Sequence, residues 1–254
     1  MRRLIPIALV ILLTSLIYVT SASAQQPDTD RAGACLTASE VTQVFSLATA
    51  VAGSVDAAKA ENIRQSVDIG RKRFAKTDLE APLKDVAVLA GYLEQAAASE
   101  VVPDISRAVA QADRRVDRFL ISECSFKQVK VVGRENSFSG APDHLRTGLY
   151  AFRFRNSGQE PHEMAVLRIP GDMPLDQFLA SPASLDPSAI VAAVRAVPGA
   201  SDTAYLILTE AGRYALVDAL PVGTTSLSDS QTGGAETHAA RGMVSEFKVT
   251  KRGK

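Results

Sequence analysis

Four residues in the second half of the chain carry donor atoms that a metal ion would use: His162, Asp218, His238 and Met243. His162 stands in Glu160-Pro161-His162-Glu163-Met164. Asp218 ends the run Gly212-Arg213-Tyr214-Ala215-Leu216-Val217-Asp218, and His238 and Met243 share the stretch His238-Ala239-Ala240-Arg241-Gly242-Met243. Two imidazoles and a carboxylate suit Cu(II), and the thioether of Met243 suits Cu(I). His162, His238 and Asp218 also form a reasonable Zn(II) donor set. Other chemistry finds no support in the sequence, which has no Ser-His-Asp ordering, no Gly-rich phosphate loop and no HExxH motif. His144 lies in Pro142-Asp143-His144, which reads as a surface turn, and Glu163 and Met164 beside His162 read as packing residues.

The segments around these residues have a β texture. After Cys124, short β-type runs alternate with Gly, Pro, Asn and Asp. Gln128 to Val132 is the first candidate strand. Gly148 to Arg155 alternates, with Tyr150, Phe152 and Phe154 on one face and Arg153 and Arg155 on the other. Glu163 to Ile169, Thr203 to Thr209, Gly212 to Val217 and Met243 to Thr250 follow. Within them, residues 174–196 read as a helical insertion of two short helices, Pro174 to Leu179 and Pro187 to Val197. Pro221 to Thr237 reads as a long mobile loop. Six or so strands spaced by turn residues predict a β-sandwich over residues 126–254.

The first half reads as helix. Residues 25–36 are a polar, flexible lead. From Thr37, with Glu40 as a capping box, Val41, Val44, Phe45, Ala48 and Val51 recur at helical spacing. A second helix spans about Val55 to Phe74, a third begins near Leu79, and a fourth runs from Pro103 to Cys124. Short connections predict an antiparallel four-helix bundle over residues 37–125. It has no histidine, which argues against a metal or haem in its core. Arg71-Lys72-Arg73 reads as a solvated helix face.

Charge excludes one function class. The chain holds 28 Lys and Arg against 28 Asp and Glu, balanced in both halves, and lacks Trp. A nucleic-acid binder would show a basic excess. Residues 1–24 form an export signal: Arg2 and Arg3, an apolar run from Leu4 to Val19, then Ala22-Ser23-Ala24 as the cleavage site. Sixteen apolar residues interrupted by Pro6 are short for spanning a bilayer, so no stable membrane insertion is expected after cleavage. Outside the cytosol Cys35 and Cys124 are expected to close into a disulfide, the alternative being two free thiols, one of them a copper ligand.

The ordered set Phe138, Gly148, Asn156, Pro161-His162, Gly212-Arg213-Tyr214, His238 and Gly242-Met243 resembles the cupredoxin, or blue-copper-like, domain of secreted bacterial proteins. The resemblance covers roughly residues 127–250. It implies a Greek-key β-sandwich and one copper ion held by His162, His238, a cysteine thiolate and an axial Met243. The thiolate position holds Asp218. The tuned potential of a blue site depends on the Cu–thiolate bond, so the substitution argues against blue-copper electron transfer. The expected fold is therefore α + β in separate domains, a helical bundle followed by a cupredoxin-like sandwich. The expected function is a non-enzymatic exported protein binding copper at His162, His238, Met243 and Asp218. The alternative is a metal-free module contacting a protein partner in the cell envelope. An oxidoreductase would need a thiolate or a second metal centre, and the sequence supplies neither.

Overall fold

The computed structural model describes residues 26–50, 53–99, 101–181, 189–227 and 236–251. The export signal expected over residues 1–24 lies outside these residues. No helix among them is long and apolar enough to cross a membrane.

Four helices come first: α1 (Gln26–Ala50), α2 (Ala57–Arg73), α3 (Glu80–Ala97) and α4 (Arg107–Glu123). Their apolar faces close around Phe45, Ile63, Val67, Leu83, Leu89, Leu93, Val116 and Leu120, all buried. Two caps fix their starts. The carboxylate of Asp56 accepts from the Lys59 N–H at 2.7 Å, and the hydroxyl of Ser106 accepts from the Val109 N–H at 3.3 Å. The second cap sets the start of α4 at Arg107 and not at Pro103, whose carbonyl instead accepts from the Tyr92 hydroxyl at 2.8 Å.

The flexible lead expected over residues 25–36 is helical from Gln26 onward. α1 begins at Gln26, and Thr37 lies within it and not at its cap. Ala34, Cys35 and Ala38 are buried on its inner side, and Cys35 is bonded to Cys124 at the end of α4. Polar residues of this turn are tied across the helix ends: Arg31 pairs with Asp78 and Glu123, and Asp30 pairs with Arg73. These long-range contacts outweigh the weak local pattern.

Nine strands follow among the described residues: β1 (Lys127–Arg134), β2 (Ser137–Ser139), β3 (His144–Arg146), β4 (Gly148–Asn156), β5 (His162–Ile169), β6 (Ile190–Ala196), β7 (Ser201–Leu208), β8 (Gly212–Val217) and β9 (Val244–Thr250), with α5 (Leu175–Ala180) between β5 and β6. They form two sheets, in the orders β2-β1-β4-β7 and β3-β9-β8-β5-β6. The connections β4–β5, β6–β7 and β7–β8 each cross between the sheets. Phe152, Phe154, Met164, Val166, Leu206, Leu216 and Phe247 fill the space between them. The alternation read in β4 holds: Tyr150, Phe152 and Phe154 are buried, and Arg153 and Arg155 are exposed. His144 stands in β3, paired with β9, and is exposed.

The helical insertion over 174–196 is half corrected. Its first part is α5, whose Phe178 is buried on the outer face of β5 with Ala165, Leu167 and Ile169. Its second part is not a helix from residue 189 onward, since Ile190–Ala196 is β6, paired antiparallel with β5 (Ala165 opposite Ala193). Residues 182–188 lie outside the described set. The run Ile190-Val191-Ala192-Ala193-Val194 has no Gly or Pro to distinguish a short strand from a helix. The free edge of β5 decides the outcome.

Helices and sandwich share a packed seam. Ala151 and Tyr205, on the outer face of the first sheet, are buried in the helical core, and Gln43 of α1 donates to the Val191 carbonyl at 2.8 Å. The Tyr205 hydroxyl donates to the Asp117 carbonyl of α4 at 3.3 Å. Three carboxyls meet there. Burial, then neighbouring carboxylates, push Asp113 and Asp117 up to about 7, with Arg114 and Arg153 offsetting only in part. Burial likewise raises Asp202 of β7 to about 6. A carboxyl raised in the fold holds its proton more tightly there than in the unfolded chain. Its stabilisation is complete below about pH 4 and is lost as pH rises through 6 to 7. The melting temperature is therefore expected to be several degrees higher at pH 5.5 than at pH 8, at about 2–4 °C per kcal/mol for a chain of this size. In Asp117→Asn the difference should shrink, as read by scanning calorimetry at both pH values.

Candidate metal centre

His162 opens β5 at the end of a tight loop that Asn156 organises. The buried Asn156 amide donates to the carbonyls of Glu160 (2.7 Å) and Ala196 (2.8 Å), and its oxygen accepts from the Gly158 N–H at 2.8 Å. Gly158 then lies directly on the imidazole. A Cβ there would come within 2.6 Å of both His162 Nε2 and Glu135 Oε1, so only glycine lets the loop close on the ring.

Asp218 follows β8. Its N–H donates to the Met243 carbonyl at 3.2 Å, and its carbonyl accepts from Ala239 at 2.8 Å. The separation of Asp218 and His238 in sequence is overcome by a hydrogen-bonded stem. His238 N–H donates to the Leu220 carbonyl (3.0 Å), Val222 N–H to the Glu236 carbonyl (2.9 Å), and Pro221 bridges Thr237. The loop expected from Pro221 to Thr237 is thus closed at its base, and residues 228–235 lie outside the described set. From His238 the chain turns back on itself, Met243 N–H donating to the His238 carbonyl at 2.9 Å, with Gly242 at φ +104°. Met243 is fully buried, and its methyl group points toward Gly133 and Phe154.

The fold brings His162, Asp218 and His238 together. His162, Asp218 and His238 are 0%, 0% and 1% exposed, and each offers a ligating atom within 4.8 Å of the others. The imidazole planes meet edge to face with centroids 4.5 Å apart. His162 Nδ1 lies 2.8 Å from Asp218 Oδ2, while Asp218 Oδ1 accepts from the Leu220 N–H at 3.0 Å. His238 Nδ1 lies 3.0 Å from the Glu135 carbonyl oxygen. A carbonyl or carboxylate oxygen accepts, so each Nδ1 donates a proton, which leaves each Nε2 as the ring nitrogen free to ligate. His162 Nε2 and His238 Nε2 are both buried without a hydrogen-bond partner.

Carboxylates surround the pair. Glu160 Oε2 accepts from the Gly223 N–H at 2.6 Å and sits 3.3 Å from His238 Nε2. The Glu135 carboxyl, bonded to the Gln159 N–H, is held below the ordinary range by that bond first, and also by its neighbour His162. Glu163 is buried on the opposite face of β5 and paired with Arg195 at 2.8 Å. Burial raises its pKa against the pull of that arginine. Glu135, Gly158 and Glu160 were not singled out in the sequence. Glu160, two residues before His162, offered only the signal of adjacency.

Fold and site together define a β-sandwich with a buried group at one end, His162, Asp218 and His238, that could hold a metal ion. No protein-family profile matches the sequence, and no curated protein resembles it. Solved structures match about half of the chain or somewhat more. A dithionite-reduced auracyanin from the photosynthetic bacterium Roseiflexus castenholzii shares 17% identity over 50% of this chain and 97% of its own, with a TM-score of 0.33. Auracyanin A, a blue copper protein from Chloroflexus aurantiacus, gives 17%, 50%, 98% and 0.33 in the same terms. A multicopper oxidase from Aquifex aeolicus shares 9% identity over 60% of this chain and 33% of its own, with a TM-score of 0.29.

Proposed function

We propose that this chain is an exported, non-enzymatic binding protein whose sandwich holds one metal ion, copper foremost, between His162 and His238, with Asp218 and Met243 beside them. One observation carries the reading: two fully buried imidazoles have their Nε2 atoms left without a hydrogen-bond partner. An unsatisfied buried polar atom costs about 1–3 kcal/mol, and two at one place are retained where something binds both. The donor set, two imidazoles with carboxylate oxygen at hand, fits Cu(II) or Zn(II). A bound copper ion would supply storage or transfer of the metal. Without a thiolate at position 218 it would not supply a blue electron-transfer centre. The disulfide between Cys35 and Cys124 supports an oxidising compartment.

A second reading, a metal-free module that contacts a cell-envelope protein, has one observation in its favour. Both oxygens of Asp218 are already engaged by His162 and Leu220. Calorimetric titration of the purified protein with Cu(II) and with Cu(I) separates the two. One equivalent of copper bound by the parent protein, and lost in both His162→Ala and His238→Ala, is expected. Absence of stoichiometric binding in the parent protein, with Zn(II) as well as with copper, would favour the metal-free module instead.

A further inference from the structure

We propose that the loop of residues 157–160 is a strap closed over the pocket of His162, Asp218 and His238, and that it must lift before an ion can enter or leave. The proposal rests on the metal-binding reading above. It adds the route of the ion and the residues that control it, Glu135, Gly158 and Glu160.

The pocket has no opening to solvent. His162, Asp218 and His238 are 0%, 0% and 1% exposed, and both Nε2 atoms are buried. An ion therefore reaches them only if part of the wall moves, whichever donor atoms it uses. Most of the wall is fixed by backbone. β5 and β8 are paired, with Ala165 opposite Val217. The stem beyond Asp218 is laced by His238 N–H on the Leu220 carbonyl and by Val222 N–H on the Glu236 carbonyl. The turn to Met243 is held in the same way, by Met243 N–H on the His238 carbonyl and Asp218 N–H on the Met243 carbonyl.

The loop 157–160 is held differently. Ser157 N–H reaches the Gly133 carbonyl at 2.9 Å, but Gly158, Gln159 and Glu160 make no backbone-to-backbone hydrogen bond among the described residues. Side chains hold them instead. Asn156, buried at the base, accepts from the Gly158 N–H and donates to the Glu160 carbonyl. On the solvent side the Glu135 carboxylate accepts from the Gln159 N–H, and the Glu160 carboxylate accepts from the Gly223 N–H. These two exposed bonds fasten the loop at its margins, one to the residue after β1 and the other to the stem. The histidine pair lies beneath. A Cβ on Gly158 would stand 2.6 Å from His162 Nε2, and Glu160 Oε2 is 3.3 Å from His238 Nε2, so the one loop covers both rings. A cover fastened by solvent-exposed hydrogen bonds opens locally at lower cost than one held by a backbone ladder.

Access to the rings is the readout, with and without metal. In the metal-free full chain, carbethoxylation by diethyl pyrocarbonate at one fixed pH is followed residue by residue by mass spectrometry. Of the three histidines, His144 is exposed and should react fast, while His162 and His238 react slowly. Glu135→Ala/Glu160→Ala leaves the Glu135 carbonyl on His238 in place. Both slow histidines should react at least about tenfold faster in it, since each fastener removed favours the open loop. Gly158→Ala, whose Cβ has no room under the closed loop, should do the same. These rates should be nearly unchanged by urea well below the unfolding midpoint, because a local opening exposes little surface. In stopped-flow mixing with Zn(II), association and dissociation should both quicken in the double variant, so the equilibrium affinity moves much less than either rate. Unchanged reactivity of His162 and His238 in both variants, or rates that climb with urea as unfolding does, would overturn the strap and leave the metal site standing. Faster carbethoxylation of the variants, beside a parent that binds neither Zn(II) nor Cu(II), would keep the loop as the cover of the histidine pair and overturn the metal reading.

Discussion

Loss of the Cys35–Cys124 disulfide is expected to destabilise the protein more than any other single covalent change. The bond links α1 to the end of α4 across a sequence separation of 89 residues and closes the helical unit almost from end to end. In the chain-entropy argument, freeing a loop of that length costs about 4–5 kcal/mol, a large part of the net stability of an ordinary domain. Two further contacts depend on the same junction. Arg31 reaches Glu123 beside Cys124, and Phe126, just past it, stacks edge to face on Tyr205 at 5.2 Å. The disulfide therefore also fixes where the first strand of the sandwich leaves the helices. Denaturant unfolding of Cys35→Ala/Cys124→Ala, or of the reduced protein, should show the midpoint of the helical unit falling by an amount equivalent to about 4 kcal/mol. A midpoint within about 1 kcal/mol of the oxidised protein would show that burial of Ala34, Ala38 and Val41 on α1 is sufficient to hold the helix.

How far the fold was legible in the sequence depended on where each element draws its stability. Strand β4 could be read because its own alternation records its two environments, Phe152 and Phe154 toward the other sheet and Arg153 and Arg155 toward solvent. Even there, Ala151 gave no sign that this face continues under the helices, because a buried alanine looks the same in either setting. The first turns of α1 and the whole of β6 were misread for the opposite reason. Asp30 and Arg31 look like a solvated tail until their partners arrive from α2, α4 and the turn before α3, and Ile190–Ala196 becomes a strand because β5 offers an edge.

The site divides in the same way. His162 and His238 were visible because both flank recognisable strands. Which ring nitrogen each would present was not, since it is set by Asp218 and by the backbone carbonyl of Glu135, 103 residues from His238. Glu160 lay in plain view two residues before His162. Its relation to His238 depends on the Asn156 loop and on the Gly223 amide, neither of which has a short-range signature.

Asp218→Ala is expected to separate the structural role of this carboxylate from any role as a ligand. The substitution removes an acceptor from two buried donors at once, His162 Nδ1 at 2.8 Å and the Leu220 amide at 3.0 Å, in a place with no solvent access. Each orphaned donor costs about 1–3 kcal/mol, so a loss of about 3 kcal/mol is the central expectation. Asp218→Asn should lose less. Its amide oxygen can still accept from one donor, but its NH2 group cannot accept from the other, and one unsatisfied donor is left in place of two. The ordering parent, Asn, Ala in metal-free stability follows from hydrogen bonding alone and can be measured by chemical denaturation in the presence of a chelator. If Asp218 served chiefly as a ligand, its carboxylate would be a liability in the metal-free protein. Alanine or asparagine would then equal or exceed the parent once metal is stripped away. The sign of one stability difference thus tells whether Asp218 serves the metal-free fold through its hydrogen bonds to His162 and Leu220.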